Sequence, residues 1–151
     1  MLYILHQTNC QNAFGSGFAG YLNRTFPLAK NRYHQFISQM REHGFTSDTD
    51  LLGQAVEAVG DGFTIVHCFG QRFYGNSKRT GRCYTNYVAA EQAIAKFRER
   101  HPDDVAICPV NMGCGLAGGD WERYSAMLAK YHIIPCDRID LVHRVYHPAS
   151  E

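Results

Sequence analysis

Residues 5–19, LHQTNCQNAFGSGFA, lead from an apolar strand through a polar segment and a glycine-bracketed turn into the start of a helix. Residues 109–121, PVNMGCGLAGGDW, have the same order, with a short apolar strand and then glycines that open a helix. Glycine loops at the carboxyl ends of strands present free backbone N–H groups, and the dipole of the following helix favours an anion there. Neither loop is a Walker A sequence, because no Lys-Ser or Lys-Thr pair follows its last glycine. Together the two loops predict a phosphate cradle.

Strands and helices are expected to alternate along the chain. Apolar residues at strand or helix spacing, and breaks at glycine and proline, set the expected boundaries. They predict strands over 1–6, 51–59, 63–69, 105–110 and 139–146, helices over 15–24, 29–42, 84–101 and 120–131, and a long loop over 70–83. This order predicts an α/β fold, a three-layer α/β/α sandwich with a mixed central sheet, and ligands at the carboxyl ends of its strands.

Composition narrows the class of protein. The 151 residues suit a single domain, 1–151. Lys and Arg total 15 and Asp and Glu total 14, so the net charge of +1 provides no field to attract nucleic acid or an anionic membrane. The first residues lack the basic flank and cleavage site of a signal peptide. The six cysteines form no C-x-x-C pair and no zinc-site spacing, so we expect a cytoplasmic protein without a metal.

Four motifs, in order along nearly the whole chain, resemble those of the macro domain, the ADP-ribose-binding family. They lie at residues 5–19, 51–53, 69–71 with 74–75 and 85–87, and 113–121, with Phe26-Pro27 and Tyr33 between the first two. The His-x-x-Asn-Cys order of residues 6–10 is most similar to the ADP-ribose-1″-phosphate phosphatase-like branch of that family. The resemblance implies the macro-domain form of the three-layer sandwich.

The same resemblance implies a set of ligand-binding residues. Asn9 would hold the distal ribose, for which an amide that both donates and accepts is suited, although an asparagine here also caps turns. Residues 115–118 would wrap the diphosphate with their backbone amides, and Gln71 and Tyr74 would border the ribose end of the cleft. The complete predicted set is Asn9, Phe14, Gly15, Ser16, Gly17, Gln71, Tyr74, Gly113, Cys114, Gly115, Leu116, Ala117 and Gly118.

The predicted catalytic residues are His6, Asn9 and Asp120. An imidazole at position 6 would serve as general acid, general base or nucleophile toward phosphorus, and the alternative is a structural histidine at a strand end. Asp120 would orient a water molecule or accept its proton. The alternative for Asp120 is that it stabilises the start of a helix, by about 0.3–1 kcal/mol.

The sequence departs from the family pattern at two places. Most macro domains begin with a strand followed by Gly-Asp, whose acid contacts adenine. No such element is found ahead of the predicted strand 1–6, so either Asp48 or Asp50 substitutes or adenine recognition is weak. Another branch of the family uses a lysine in the long loop and an aspartate after Gly-x-Gly-Leu. Here Ala117 takes the place of that aspartate and the loop has no lysine before Lys78, so this route is not expected.

These observations predict a macro-domain hydrolase that releases phosphate from ADP-ribose-1″-phosphate. One alternative is a hydrolase of ADP-ribosyl or O-acetyl-ADP-ribose esters, which would use the same pocket. The other is a non-catalytic module that binds ADP-ribose or a related nucleotide, since one fold can host both roles. The expected partner is this small molecule, with no cofactor; the oligomeric state stays open.

Overall fold

The computed structural model describes residues 1–15, 17–45 and 47–137. Strands and helices alternate over these residues, with a short 3₁₀ helix at Asp48–Asp50. The elements in chain order are β1 (Leu2–Asn9), α1 (Gly17–Thr25), α2 (Pro27–Glu42), β2 (Ala55–Val59), β3 (Phe63–Gln71), α3 (Ser77–Thr80), α4 (Tyr87–Arg100), β4 (Ala106–Pro109), α5 (Trp121–Lys130) and β5 (Ile134–Cys136).

The strands form one mixed sheet in the order β2-β3-β1-β4-β5. β2 runs antiparallel to β3, its neighbour in the chain, and the other neighbouring pairs are parallel. The parallel strands therefore end on the same edge of the sheet. The predicted mixed-sheet α/β fold is confirmed.

Helices cover both faces of this sheet and divide the core into two layers. Even-numbered residues of β1, such as Leu2 and Ile4, pack with Leu22 of α1 and Tyr33 of α2. Odd-numbered residues, such as Leu5, pack on the other face against α4 and α5. β1 is buried on both faces because successive side chains of a strand point to opposite sides.

The structure differs from the predicted elements at four places, of which the first is the predicted strand 51–59, since β2 begins only at Ala55. β1 and β3 continue to Asn9 and Gln71, so polar residues belong to the strand ends rather than to loops. The predicted loop 70–83 contains the four-residue helix α3. β5 was not predicted, since three partly exposed residues that include Pro135 give no periodic pattern. The predicted strand 139–146 lies outside the described residues. No helix in the described part of the chain is long and apolar enough to cross a membrane.

The different burial of two valines in neighbouring strands predicts that their truncation has unequal effects on stability. Val66 on β3 is fully buried, whereas 64% of Val59 on β2 is exposed. Val66→Ala should lower the free energy of unfolding by about 2 kcal/mol, because it removes buried methyl groups and leaves a cavity. The control Val59→Ala should change it by no more than about 0.5 kcal/mol. Urea unfolding measures both values, and equal losses would contradict this assignment of the core.

Candidate functional site

A cleft of about 990 Å³ opens at the carboxyl ends of β1, β3 and β4. Its walls are the last residues of these strands, the loop before α1 with the first turn of that helix, the segment that leads into α3 with Arg79, and the glycine loop after β4. The lining residues are His6, Gln7, Thr8, Asn9, Ala13, Phe14, Gly15, Gly17, Phe18, Ala19, Gln71, Tyr74, Gly75, Asn76, Arg79, Pro109, Val110, Asn111, Met112, Gly113, Gly115, Leu116 and Ala117.

The two predicted glycine loops meet across this cleft. A Cβ atom placed on Gly17, the first residue of α1, would lie 3.9 Å from Cδ1 of Leu116 in the second loop. The N-terminus of α1 is therefore directed at the place where the loops meet. Unpaired N–H groups at a helix N-terminus attract anions, which is the property that the predicted cradle requires of this loop.

The second glycine loop keeps three successive amides available. The amides of Gly118 and Gly119 bond to carbonyl groups within the loop, at 3.1 and 3.0 Å. Within the described residues, no carbonyl or side chain accepts from the amides of Gly115, Leu116 and Ala117. Successive free N–H groups form a concave site suited to a phosphate.

Backbone hydrogen bonds from the α3 region hold the second loop in place. Ser77 N–H donates to the Leu116 carbonyl at 2.9 Å, and Tyr84 N–H donates to the Ala117 carbonyl at 2.7 Å. These bonds use the carbonyl side of the loop and leave its amide side unpaired. The loop is therefore held in place, through hydrogen bonds to its own carbonyl groups, before any ligand binds.

Most of the predicted ligand-binding residues line the cleft. These are Asn9, Phe14, Gly15, Gly17, Gln71, Tyr74, Gly113, Gly115, Leu116 and Ala117. Cys114 and Gly118 belong to the predicted set but do not line it. Gly118 faces α3 instead, since a Cβ there would collide with Oγ of Ser77. Ser16 lies outside the described residues.

Cys114 is not arranged as a nucleophile. Burial, with Asp120 and Cys83 nearby, raises the pKa of its thiol to about 11. A thiol with a raised pKa is protonated at neutral pH and reacts slowly. The structure thus gives Cys114 no reactive role.

Asn9 lies at the cleft and also holds the loop that follows β1. Its Oδ1 accepts from the backbone N–H of Gln11 and from the hydroxyl of Tyr33, each at 3.0 Å. Its Nδ2 donates to the carbonyl of Ala13 at 2.7 Å. The turn-capping alternative is therefore observed, and one Nδ2 hydrogen of Asn9 stays without an acceptor among the described residues.

His6 lies at the floor of the cleft and is only 2% exposed. Its Nε2 is 2.7 Å from Nδ1 of His67, which is its direct partner in the β1–β3 register. Phe14 and Phe18 pack edge-on against its ring. Nε2 of His67 is in turn 2.8 Å from the carbonyl oxygen of Ala29 in α2.

This chain of hydrogen bonds determines the tautomers of both histidines. The Ala29 carbonyl can only accept, so His67 carries its proton on Nε2 and its Nδ1 accepts. His6 must then donate from Nε2, which leaves its Nδ1 unprotonated and without a partner in the described part of the chain. The free ring nitrogen of His6 therefore carries a lone pair rather than a proton.

Burial keeps both histidines neutral. It lowers the pKa of His67 to about 3. Burial, and to a lesser extent the neighbouring His67, holds the pKa of His6 well below its usual value. His6 is accordingly unprotonated at neutral pH, which suits a hydrogen-bond acceptor, a base or a nucleophile and not a general acid.

Asp120 is placed where it caps a helix. Its Oδ1 accepts from the backbone N–H of Glu122 at 3.0 Å at the start of α5. The side chain is exposed and does not line the cleft. The structure therefore does not bring Asp120 together with His6. Asp48 and Asp50, the suggested adenine contacts, are not among the lining residues either.

The sequence does not predict a polar network that lies beneath the cleft. Gln7 donates to Oε1 of Gln71 and to Oγ1 of Thr85, both at 2.9 Å, and accepts from the hydroxyl of Tyr124 at 2.9 Å. Thr85 donates in turn to the carbonyl of Gly113. The network ties β1 to β3, to α5 and to the second glycine loop. Its one sequence signal was the position of Gln7 next to His6 on the opposite face of the strand.

Comparison with solved structures identifies the fold. A protein of unknown function from Bacteroides thetaiotaomicron is 26% identical, with a TM-score of 0.67 over 86% of this chain and 79% of that chain. A macrodomain protein from Streptomyces coelicolor is 20% identical, with a TM-score of 0.65 over 89% of this chain and 84% of that chain. The chain has the macrodomain fold.

A third similar structure contains a ligand. DarTG from Thermosipho africanus, solved in complex with ADP-ribose, is 14% identical, with a TM-score of 0.63 over 93% of this chain and 40% of that chain. No protein-family model and no curated protein matches the chain. The macrodomain fold is thus shown by structural similarity. The branch of the family suggested by residues 6–10 stays a prediction.

The neutral His6–His67 pair predicts a loss of stability in mild acid. In the unfolded chain histidines bind protons below about pH 6.5, whereas His67 in the folded protein resists protonation down to about 3. The unfolded state therefore binds more protons in this range, and the free energy of unfolding falls as the pH falls.

His67→Gln tests this origin of the acid sensitivity, since an amide keeps a donor and an acceptor but does not titrate. Between pH 7 and pH 5, the free energy of unfolding of the variant should fall by about 2 kcal/mol less than that of the unmodified protein. Urea unfolding at the two pH values measures the difference. Equal losses in both proteins would show that His67 is not held neutral by the fold.

Proposed function

We propose that the cleft binds an ADP-ribose derivative and that the protein releases phosphate from ADP-ribose-1″-phosphate. The observation that carries the binding part is the cradle formed by the N-terminus of α1 and the three free amides of residues 115–117. A diphosphate matches this donor set, because backbone N–H groups suit an anion and discriminate against cations. The Thermosipho africanus structure, which shares the fold and holds ADP-ribose, supports the same choice of ligand.

The proposed orientation places the distal ribose beside Asn9. Asn9 pairs with Gln71 in the β1–β3 register, and both residues line the cleft. The remaining Nδ2 hydrogen of Asn9 and the remaining Nε2 hydrogen of Gln71 can donate to sugar hydroxyl groups. The diphosphate then lies between the two glycine loops, and the 1″ position of the ribose is directed to the end of the cleft that His6 and Gln71 share.

His6 is the proposed base for hydrolysis. Its unprotonated Nδ1 accepts a proton from a water molecule, whose oxygen bonds to phosphorus as the bond from phosphorus to the 1″ oxygen breaks. The ribose oxygen leaves and takes up a proton from solvent, so the products are ADP-ribose and phosphate. Because phosphoryl transfer passes through a loose transition state, placement of the water matters more than the strength of the base.

A binding module without turnover is the second candidate, and a specific observation favours it. In the described residues that line the cleft there is no carboxylate, and Asp120 lies elsewhere. Two-residue acid–base catalysis therefore has no second partner in this arrangement. A protein of this kind would bind ADP-ribose through the same cradle and release no product.

Replacement of His6 separates the two candidates. His6→Gln keeps a donor toward His67 but removes the unprotonated imidazole, so phosphate release from ADP-ribose-1″-phosphate should fall by at least 100-fold, on the order expected for general base catalysis. Affinity for ADP-ribose, measured by calorimetry, should stay within a few-fold. The matched control is His43→Gln at an exposed histidine that does not line the cleft, which should retain full activity.

Each other outcome has a definite meaning. Unchanged turnover in His6→Gln would assign the proton transfer to another group. Binding of ADP-ribose without any turnover by the unmodified protein would favour the binding module, and turnover of O-acetyl-ADP-ribose alone would favour the ester hydrolase. Absence of ADP-ribose binding would contradict the proposal as a whole.

A further inference from the structure

We propose that Arg79 binds a phosphate monoester on the distal ribose, and that it selects ligands with such a group over ADP-ribose itself. This inference rests on the proposed function, since it takes the ADP-ribose core to occupy the cleft. It goes further by assigning the recognition of the reacting phosphate to a side chain in the 70–83 segment.

The first argument for this role is the charge of the side chains that line the cleft. Arg79 is the only charged side chain among its described lining residues, and no acidic side chain is present there to neutralise it. His6, the only other titratable nitrogen group in the lining, is held neutral by burial. The side chains of the described cleft thus carry a net positive charge, which favours an anionic ligand group within about a Debye length.

Their side-chain partners distinguish Arg72 and Arg82 from Arg79. Arg72 lies 3.9 Å from a carboxylate oxygen of Asp48 and over the ring of Phe73. Arg82 lies over the rings of Phe73 and Tyr84. In the described chain, no ion pair, ring contact or side-chain hydrogen bond engages the Arg79 guanidinium. A guanidinium with five free donors is suited to a bidentate contact with a phosphate.

The helix α3, which carries Arg79, lies between the end of β3 and the second glycine loop. β3 ends at Gln71, next to Asn9, and the chain then runs along the cleft through Tyr74 to α3. The backbone N–H of Tyr74 donates to Oε1 of Gln11, which fixes this segment to the loop after β1. The Ser77–Leu116 hydrogen bond fixes α3 to the phosphate loop. Arg79 therefore lies on a segment that bridges the proposed ribose and diphosphate sites.

The consequence is a difference in affinity between substrate and product. A phosphate at the 1″ position adds a dianionic group that Arg79 can bind, whereas ADP-ribose lacks it. Loss of this contact after hydrolysis weakens the hold on the product. Arg79 would in this way favour both capture of the phosphorylated ligand and release of ADP-ribose.

The chain provides a matched control at the adjacent position. Lys78 lies on the same four-residue helix and is exposed, but it does not line the cleft. Arg79→Gln and Lys78→Gln remove the same unit of charge from neighbouring positions. A general electrostatic effect would lower the affinity of both variants for the phosphorylated ligand equally. A direct contact would lower the affinity of Arg79→Gln alone.

The experiment is calorimetric titration of both variants with ADP-ribose and with ADP-ribose-1″-phosphate, in the His6→Gln background so that the second ligand is not hydrolysed. Without a substitution at position 79, the 1″-phosphate should bind about tenfold tighter than ADP-ribose, as expected for one charge-assisted contact at a partly solvated site. Arg79→Gln should abolish this preference and leave ADP-ribose affinity within twofold. Lys78→Gln should keep it, and the preference should shrink at high salt.

A kinetic measurement keeps the inference testable if the His6 background is unstable. With His6 intact, Arg79→Gln should raise KM for ADP-ribose-1″-phosphate about tenfold while the inhibition constant of ADP-ribose stays the same. Equal affinity for the two ligands before substitution, or equal losses in the two charge variants, would overturn the role of Arg79 while leaving ADP-ribose binding intact. Failure of both ligands to bind would instead overturn the proposed function.

Discussion

The parallel pairing of β1 with β3 is the constraint on which the rest of the site depends. Both strands are buried on both faces, so their register is fixed by the packing of two core layers rather than one. Because side chains alternate along a strand, adjacent residues His6 and Gln7 enter opposite layers. The first meets His67, and the second meets Gln71 and the residues around Tyr124. A shift of one residue would exchange the two and dismantle both groups.

In the cleft that this register produces, most of the groups suited to an anion are backbone amides. The two glycine loops provide amides, the hydrogen bonds from Ser77 and Tyr84 hold the second loop, and Arg79 is the one charged side chain in the described lining. Backbone donors held in place before binding lose little entropy when a ligand arrives. Such a cleft suits the phosphate-rich ligand that we propose.

Glycine is required in this site for packing as well as for turns. A Cβ on Gly113, which has φ of +73°, would lie 2.9 Å from Oε1 of Gln7 and would collide with the ring of Tyr124. A Cβ on Gly70 would approach the same Gln7 oxygen to 2.5 Å. The polar network beneath the cleft therefore fits directly against the backbone of these glycines, and the side chains of Gln7 and Thr85 link the second glycine loop to the sheet.

The sequence by itself determined the features that depend on local pattern: the strand–glycine–helix order of the two loops, the alternating elements and hence the three-layer fold. The same pattern placed the two glycine loops at one edge of the sheet, because the carboxyl ends of parallel strands meet there, and the family resemblance added Asn9, Gln71 and Tyr74. Only the tertiary structure decided which polar side chains meet, since His67 is 61 residues from His6 and Tyr124 is 117 from Gln7. It likewise placed Asp120 at a helix cap and Arg79 in the cleft. Such contacts arise from strand register and helix packing, which join residues distant in the chain and leave no periodic signal near either one.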